Sequence, residues 1–176
     1  MTIAPHDHFR PVGRWLALAA ALSLVVSGCT AAFTPEASQG GRAALIIVAQ
    51  DGSTRQTCVT LAAGEASGRA LLERSSLPVT LDDRNAMGAL VCAIDGLGCD
   101  YPAEPCFCRC EQLGTCTYWA YFVRSPPGEW TYSVQGVSAQ PVRPGELHAW
   151  VWLDASRTGA EALGLLPDAS FEAVCP

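Results

Sequence analysis

The sequence predicts a single α+β domain, a mixed sheet with one short helix, held by disulfides. Three observations carry that expectation. From Ala43 onward the hydrophobic patterns run strand, strand, helix, strand, strand, with more strands after them. Eight cysteines (Cys58, Cys92, Cys99, Cys106, Cys108, Cys110, Cys116 and Cys175) remain once Cys29 is set aside, an even number that reads as four disulfides in an exported chain. At 176 residues, 49% apolar and 16% charged, the chain suits one compact domain at a cell surface or in a secreted protein better than a disordered segment.

The expectation of export comes from residues 1–28. The segment MTIAPHDHFRPVGR carries Arg10 and Arg14 and leads into thirteen uncharged residues, Trp15 to Ser27. These are the n-region and h-region of a signal peptide, too short for an ordinary transmembrane helix. Val26-Ser27-Gly28-Cys29 resembles a bacterial lipobox at all four positions, which implies that Cys29 becomes the lipidated first residue of the mature protein. The other reading is cleavage at a small-residue site with Cys29 left as a free thiol. Each acyl methylene buried in a bilayer contributes about 0.8 kcal/mol, so several chains make a stable anchor. Residues 29–42, small and polar with Pro35 and Gly40-Gly41, read as a flexible tether.

The domain itself is expected over 43–176. ALIIVAQ, the turn pair Asp51-Gly52 and the β-branched TRQTCVTL make a β-hairpin. AGEASGRALLERS has Ala66, Ala70 and Leu71 with Leu72 at helical spacing and is closed by Ser75-Ser76-Leu77-Pro78, which predicts one helix of about ten residues. LPVTL and ALVCAI are short strands on either side of the turn-rich DDRNAMG. After the cysteine-rich stretch come YWAYFV, the turn Ser125 to Gly128, EWTYSVQG, the turn at Pro144-Gly145 and ELHAWVWL. In the last, Leu147, Ala149, Val151 and Leu153 share one face while His148, Trp150 and Trp152 share the other. A strand apolar on both faces is covered on both, most simply by the helix on one and the cysteine-rich loop on the other.

Six cysteines fall between Cys92 and Cys116. Residues two apart in an extended segment lie about 6.5 to 7 Å between Cα atoms, near the upper limit for a bridge, so Cys106, Cys108 and Cys110 should each take a different partner. Cys92, Cys99 and Cys116 are the nearby candidates, which leaves Cys58 and Cys175 to close the long loop. A metal-thiolate site is the alternative, because Cys-Phe-Cys-Arg-Cys offers three sulfurs in five residues. Its spacing does not match the paired two-residue gaps of zinc sites, His148 is the only histidine beyond residue 28, and no metal or cofactor is expected.

The formal charge is −6, the chain has no lysine and no basic run exists, so nucleic acid is not an expected partner. Catalysis would have to use His148, which sits among apolar strand residues with no nucleophile motif beside it; the chain reads as a non-enzyme. Aromatic residues crowd the last strands. Tyr118, Trp119, Tyr121, Trp130, Trp150 and Trp152 are the candidate ligand-binding residues, with core and cross-strand packing the alternative role for at least half of the aromatic set.

Several blocks carry a further resemblance: VCAIDGLGC, CFC, CTYWAYF, Gly-Glu-Trp-Thr-Tyr-Ser, Gly136-Val137-Ser138 and Pro144-Gly145-Glu146 before HAWVW. Together they resemble bacterial exported proteins related to the transcobalamin C-terminal-like β-grasp domain, over roughly residues 43–153. The strand and helix order agrees with a β-grasp. The resemblance implies a module that contacts a small ligand or a protein, in some relatives associated with cobalamin or cobalt uptake. The expectation is therefore a surface lipoprotein anchored to the membrane through Cys29, with a corrinoid or a transporter component as partner. A thiol metal-binding protein and a purely structural surface protein are the alternatives. Any binding surface is expected where the cysteine-rich loop meets the YWAYF strand.

Overall fold

The computed structural model describes residues 40–62, 66–108, 116–157 and 159–176. The signal peptide, Cys29, most of the tether and Cys110 lie outside the described residues. One compact unit spans Glu36–Pro176. Its architecture is α+β and disulfide-rich, mostly strands with few short helices.

The central sheet is mixed, with strand order β2-β1-β10-β7-β8. β1 (Arg42–Val48) and β2 (Thr54–Thr60) form the first hairpin. Gly52, at φ +83°, supplies the left-handed position its turn requires. β10 (Leu147–Asp154) lies parallel to β1, with Ala44 opposite Leu147 and Val48 opposite Val151. On its other side β10 runs antiparallel to β7 (Thr117–Arg124), with Trp150 opposite Tyr121 and Trp152 opposite Trp119. First and last long strands parallel at the centre, each flanked by an antiparallel neighbour, give the β-grasp-like arrangement.

The remaining strands are short. β3 (Ala66–Ser67) pairs with β9 (Pro141–Val142), and β4 (Val79–Asp82), β5 (Leu90–Ile94) and β6 (Leu97–Gly98) make a three-stranded sheet. Asp95 and Gly96, both at positive φ, form the two-residue turn between β5 and β6, a second aspartate-glycine hairpin. EWTYSVQG reads as a full strand in sequence, but only β8 (Thr131–Tyr132) pairs.

Helix α1 (Gly68–Arg74) is shorter than the ten residues expected. Ser67 caps it, accepting a hydrogen bond from the Ala70 N–H. Leu71 and Leu72 point into the core. A Cβ on Gly68 would meet the Tyr121 hydroxyl at 2.6 Å, so glycine is what lets the first turn of the helix rest on β7. Two more short helices, α2 (Gly159–Leu163) and α3 (Phe171–Val174), lie in the C-terminal tail.

The covering of the sheet differs from the simplest reading of β10. His148, Trp150 and Trp152 alternate with Leu147, Ala149, Val151 and Leu153, and all seven are buried. The helix and the cysteine-rich segment share one face: Leu71, Leu72, Ile94, Cys99 and Cys108 pack with Trp119, Tyr121, Trp150 and Trp152. The opposite face is covered by the tail, where Ala162, Ala169 and Cys175, with Leu165, Leu166, Phe171 and Val174, pack on Ile46, Phe122, Ala149 and Val151. A seven-residue helix is too short to cover a whole face, so the loop completes its layer and the tail supplies the other.

Cys58 pairs with Cys175, Cys92 with Cys106 and Cys99 with Cys108. The expected long-range bridge and the separate partners of Cys106 and Cys108 are thus both present. Cys116 is also disulfide-bonded. The segment is fixed at both ends: to β5 through Cys92, and to the start of β7 where the Thr117 N–H donates to the Cys108 carbonyl at 2.9 Å. Disulfides in this number form and persist in oxidising, extracytoplasmic compartments. No helix among the described residues is long and apolar enough to cross a membrane.

Candidate functional site: an aromatic cleft beside the cysteine-rich segment

A cleft of about 270 Å³ opens where the cysteine-rich segment, β5, β7 and the loop after β8 converge. Its inner surface is made by Trp119, Tyr121 and Trp150, all buried. The sheet aligns them because β7 and β10 are antiparallel neighbours in the register that sets Tyr121 opposite Trp150. The two rings stack at 4.0 Å between centroids and 13° between planes. Trp119 lies against Trp152 at 5.2 Å in a tilted pair. One wall consists of Ala89, Leu90 and Val91 with Cys106 and Phe107; the other is the run Tyr132 to Val137.

The rim is apolar and open to solvent. Phe107 is 45% exposed, Tyr132 52% and Val134 93%. Two aromatics and a valine left in water beside a buried aromatic surface form the kind of patch that marks an interaction site. Phe107 leans on Tyr118 at 5.9 Å, and Tyr132 meets Phe122 edge-on at 5.4 Å. Burial raises the Tyr118 phenol above its ordinary range, with the hydrogen bond to Tyr132 adding to it. Among the described residues no aspartate, glutamate, lysine, arginine or histidine lines the cleft.

Beneath the cleft lies a buried polar chain. The Tyr121 hydroxyl is 2.7 Å from His148 Nδ1, and His148 Nε2 is 3.2 Å from Glu146 Oε2. Ser125 Oγ donates to Glu146 Oε1 at 2.7 Å and the Arg143 backbone N–H to Oε2 at 2.8 Å. Burial pushes the Glu146 carboxyl up, but the hydrogen bonds from His148, Arg143 and Ser125 outweigh it and hold the group at about 2. Burial, with the Glu146 charge adding to it, drives the Tyr121 phenol far above its ordinary range. With Glu146 ionised, His148 Nε2–H donates to its carboxylate, and Nδ1 shares a hydrogen bond with the Tyr121 hydroxyl. His148 is wholly buried and bonded to both partners.

The sequence-derived ligand residues divide accordingly. Tyr118, Trp119, Tyr121 and Trp150 line the cleft. Trp152 lies in the core against Trp119 and does not reach it. Trp130 packs on the opposite face, its indole N–H donating to the Pro167 carbonyl at 3.4 Å. The structure adds Phe107, Tyr132 and Val134. Phe107 carried a signal in sequence, a large apolar residue flanked by two cysteines whose bridges turn their own side chains inward. Nothing in sequence separated Val134 from an ordinary strand residue. Cys99 and Cys108 lie with Glu104 in a group whose ligand atoms are within 4.8 Å of one another. The two sulfurs are bonded to each other and so present no thiolate, the form in which cysteine binds metal.

No family model matches the chain, and no curated protein matches it. Among solved structures, haptocorrin in complex with Cbi is similar, at 18% identity and a TM-score of 0.46, with 65% of this chain and 26% of that one covered. The chain thus spans about a quarter of haptocorrin's length.

Proposed function

We propose that the protein is a non-enzymatic binding module, anchored outside the cytoplasm through a lipidated Cys29, that takes a flat and largely apolar small ligand in its aromatic cleft. The reading rests on that cleft: a buried Trp119–Tyr121–Trp150 surface with an exposed apolar rim. Ligand sites are concave and apolar with few polar groups, and the described lining, dominated by aromatic and aliphatic side chains, fits that pattern. The resemblance of the YWAYF and Gly-Glu-Trp blocks makes a corrinoid the first ligand to test, in an accessory role to cobalt or corrinoid uptake. At about 270 Å³ the cleft cannot enclose a corrin macrocycle. It covers one edge or face, and a second component, such as a transporter subunit, covers the rest.

The test is a tryptophan fluorescence titration with cobinamide, cobalamin and cobalt. Saturable quenching by a corrinoid is expected. The exposed rim positions give variants that leave the core alone: Phe107→Ala and Tyr132→Ala should each weaken binding about tenfold, the equivalent of losing one aromatic contact. No response to any of the three, or rim variants that bind like the wild type, would overturn the reading. Anchoring has its own test. Cys29→Ser is expected to move the protein from the membrane fraction to the soluble extracytoplasmic fraction, and unchanged membrane association would rule out the lipid.

A further inference from the structure

β2 forms one edge of the central sheet, and the hydrogen bonds of its neighbour fix which of its backbone groups point outward. The Ala44 N–H donates to the Glu146 carbonyl, just before β10, so the even positions of β1 face β10 and the odd ones face β2. The bonds at the two ends of the hairpin agree: Leu61 N–H to the Gly41 carbonyl at 2.8 Å, and Ala49 N–H to the Ser53 carbonyl at 2.9 Å. Through the register that sets Ala43 opposite Val59 and Ile47 opposite Arg55, it is Arg55, Thr57 and Val59 that bond β1. Thr54, Gln56, Cys58 and Thr60 turn their N–H and C=O groups away from the sheet, and among the described residues no hydrogen bond reaches them. Thr54, Gln56 and Thr60 are exposed.

Such an edge templates pairing with another chain, and folded proteins blunt it with a short strand, prolines, bulges or charges. β8, on the far side of the sheet, is blunted by having two residues. β2 pairs with β1 over seven residues without a register shift and contains no proline. Its one charge, Arg55, is drawn to Asp95 at 2.7 Å. The strand is also compatible with itself. Two copies of β2 laid antiparallel about a twofold axis at Thr57 set Thr54 against Thr60 and Gln56 against Cys58, the pairs whose outward groups exchange hydrogen bonds. Arg55 then stands against Val59 and Thr57 against its own copy, so threonines meet threonines and like charges do not meet. This register uses every outward group of both strands. We propose that β2 is a self-association surface, and that its occupant is the β2 of a second copy of this chain, added antiparallel to make one sheet across the dimer. The proposal is independent of the ligand reading, because β1 and β10 separate β2 from β7.

Sedimentation equilibrium of the exported protein in density-matched detergent, over about 1 to 300 µM, reads the association. A reversible monomer–dimer equilibrium is expected for the wild type. Gln56→Pro removes an outward N–H and leaves the bonds to β1 in place, and should weaken the dimer at least tenfold. The second pair of variants does not touch the backbone. Thr54→Lys with Thr60→Lys sets lysine opposite lysine at both ends of the paired strands and should also weaken association at least tenfold; Thr54→Lys with Thr60→Glu sets unlike charges at the same places and should restore it. A wild type that stays monomeric throughout overturns the proposal. So does a dimer that neither Gln56→Pro nor the double lysine variant weakens, which would place the contact on another surface. A lysine–glutamate variant no stronger than the double lysine one would rule out the twofold register and the second copy of β2 with it.

Discussion

Replacing both Cys58 and Cys175 with serine is expected to destabilise the oxidised protein by about 4 to 5 kcal/mol in the chain-entropy model, the largest loss any single covalent change should cause. The bridge joins β2 to the end of α3 across a sequence separation of 117. Without it the unfolded chain regains the freedom of that whole loop. The change also acts on the native state, because the tail covers one face of the central sheet and few other bonds hold it. Arg42 Nη1 donates to the Pro176 carbonyl at 2.8 Å, Arg124 Nη1 to the Ala169 carbonyl at 3.1 Å, and Trp130 to Pro167. Urea unfolding gives the free energy, and limited proteolysis should show new cleavage between 155 and 176 before the rest of the domain yields. Affinity at the cleft should change little, since the cleft lies on the other face. A loss below about 1 kcal/mol would mean that the bridge adds nothing to a tail already held by packing.

The two faces of β10 also show how far the sequence could be read. Alternation of Leu147, Ala149, Val151 and Leu153 with His148, Trp150 and Trp152 declares a strand buried on both sides, because period-two apolarity on each face has no other stable use. It does not say what does the burying. The tail from Ala155 lacks a long periodic run, so its short helices and scattered Leu165, Leu166, Phe171 and Val174 gave no sign of a covering layer; only Cys175 marked where it was tied. The cysteine-rich stretch hid a local signal of a different kind. Asp95-Gly96 is as good a hairpin pair as Asp51-Gly52, but it stands among six closely spaced cysteines whose pattern is the stronger signal. A Cβ on Gly98 would collide with the Cys92 carbonyl, so that hairpin is also what brings Cys99 back beside β5.

The cleft was legible in part for a related reason. Its inner residues Trp119, Tyr121 and Trp150 share a face by strand alternation, which sequence gives, and Tyr121 stands opposite Trp150 by register, which it does not. Trp130 and Trp152 belong to the same aromatic cluster in sequence and are separated in space by the sheet and by burial. The wall from Tyr132 to Val137 depends on where pairing to β7 stops, after Tyr132, and no residue type marks that point.

Glu146→Gln should cost the protein on the order of 3 kcal/mol at neutral pH and flatten its acid unfolding profile. The carboxyl is held at about 2 in the folded protein, below the ordinary value of about 4.3 for an unfolded glutamate. A depressed carboxyl contributes stability that is fully present above the unfolded value and is lost as pH falls through the folded one. Wild-type stability should therefore decline between about pH 5 and pH 2 from this group, by an amount that the glutamine variant has already lost at pH 7. The loss follows the chain of contacts into the cleft. Protonated Glu146 accepts less strongly from His148 Nε2–H, and His148 Nδ1 is what positions the Tyr121 hydroxyl under the first turn of α1. The corrinoid affinity of the wild type should then fall over the same acid range, while that of the glutamine variant starts lower and varies little. Urea unfolding at half-unit steps from pH 7 to pH 2.5, with fluorescence titration at each step, reads both. Parallel profiles for the two proteins would show that Glu146 does not supply the acid sensitivity and that the cleft floor is held by its aromatic stacking alone.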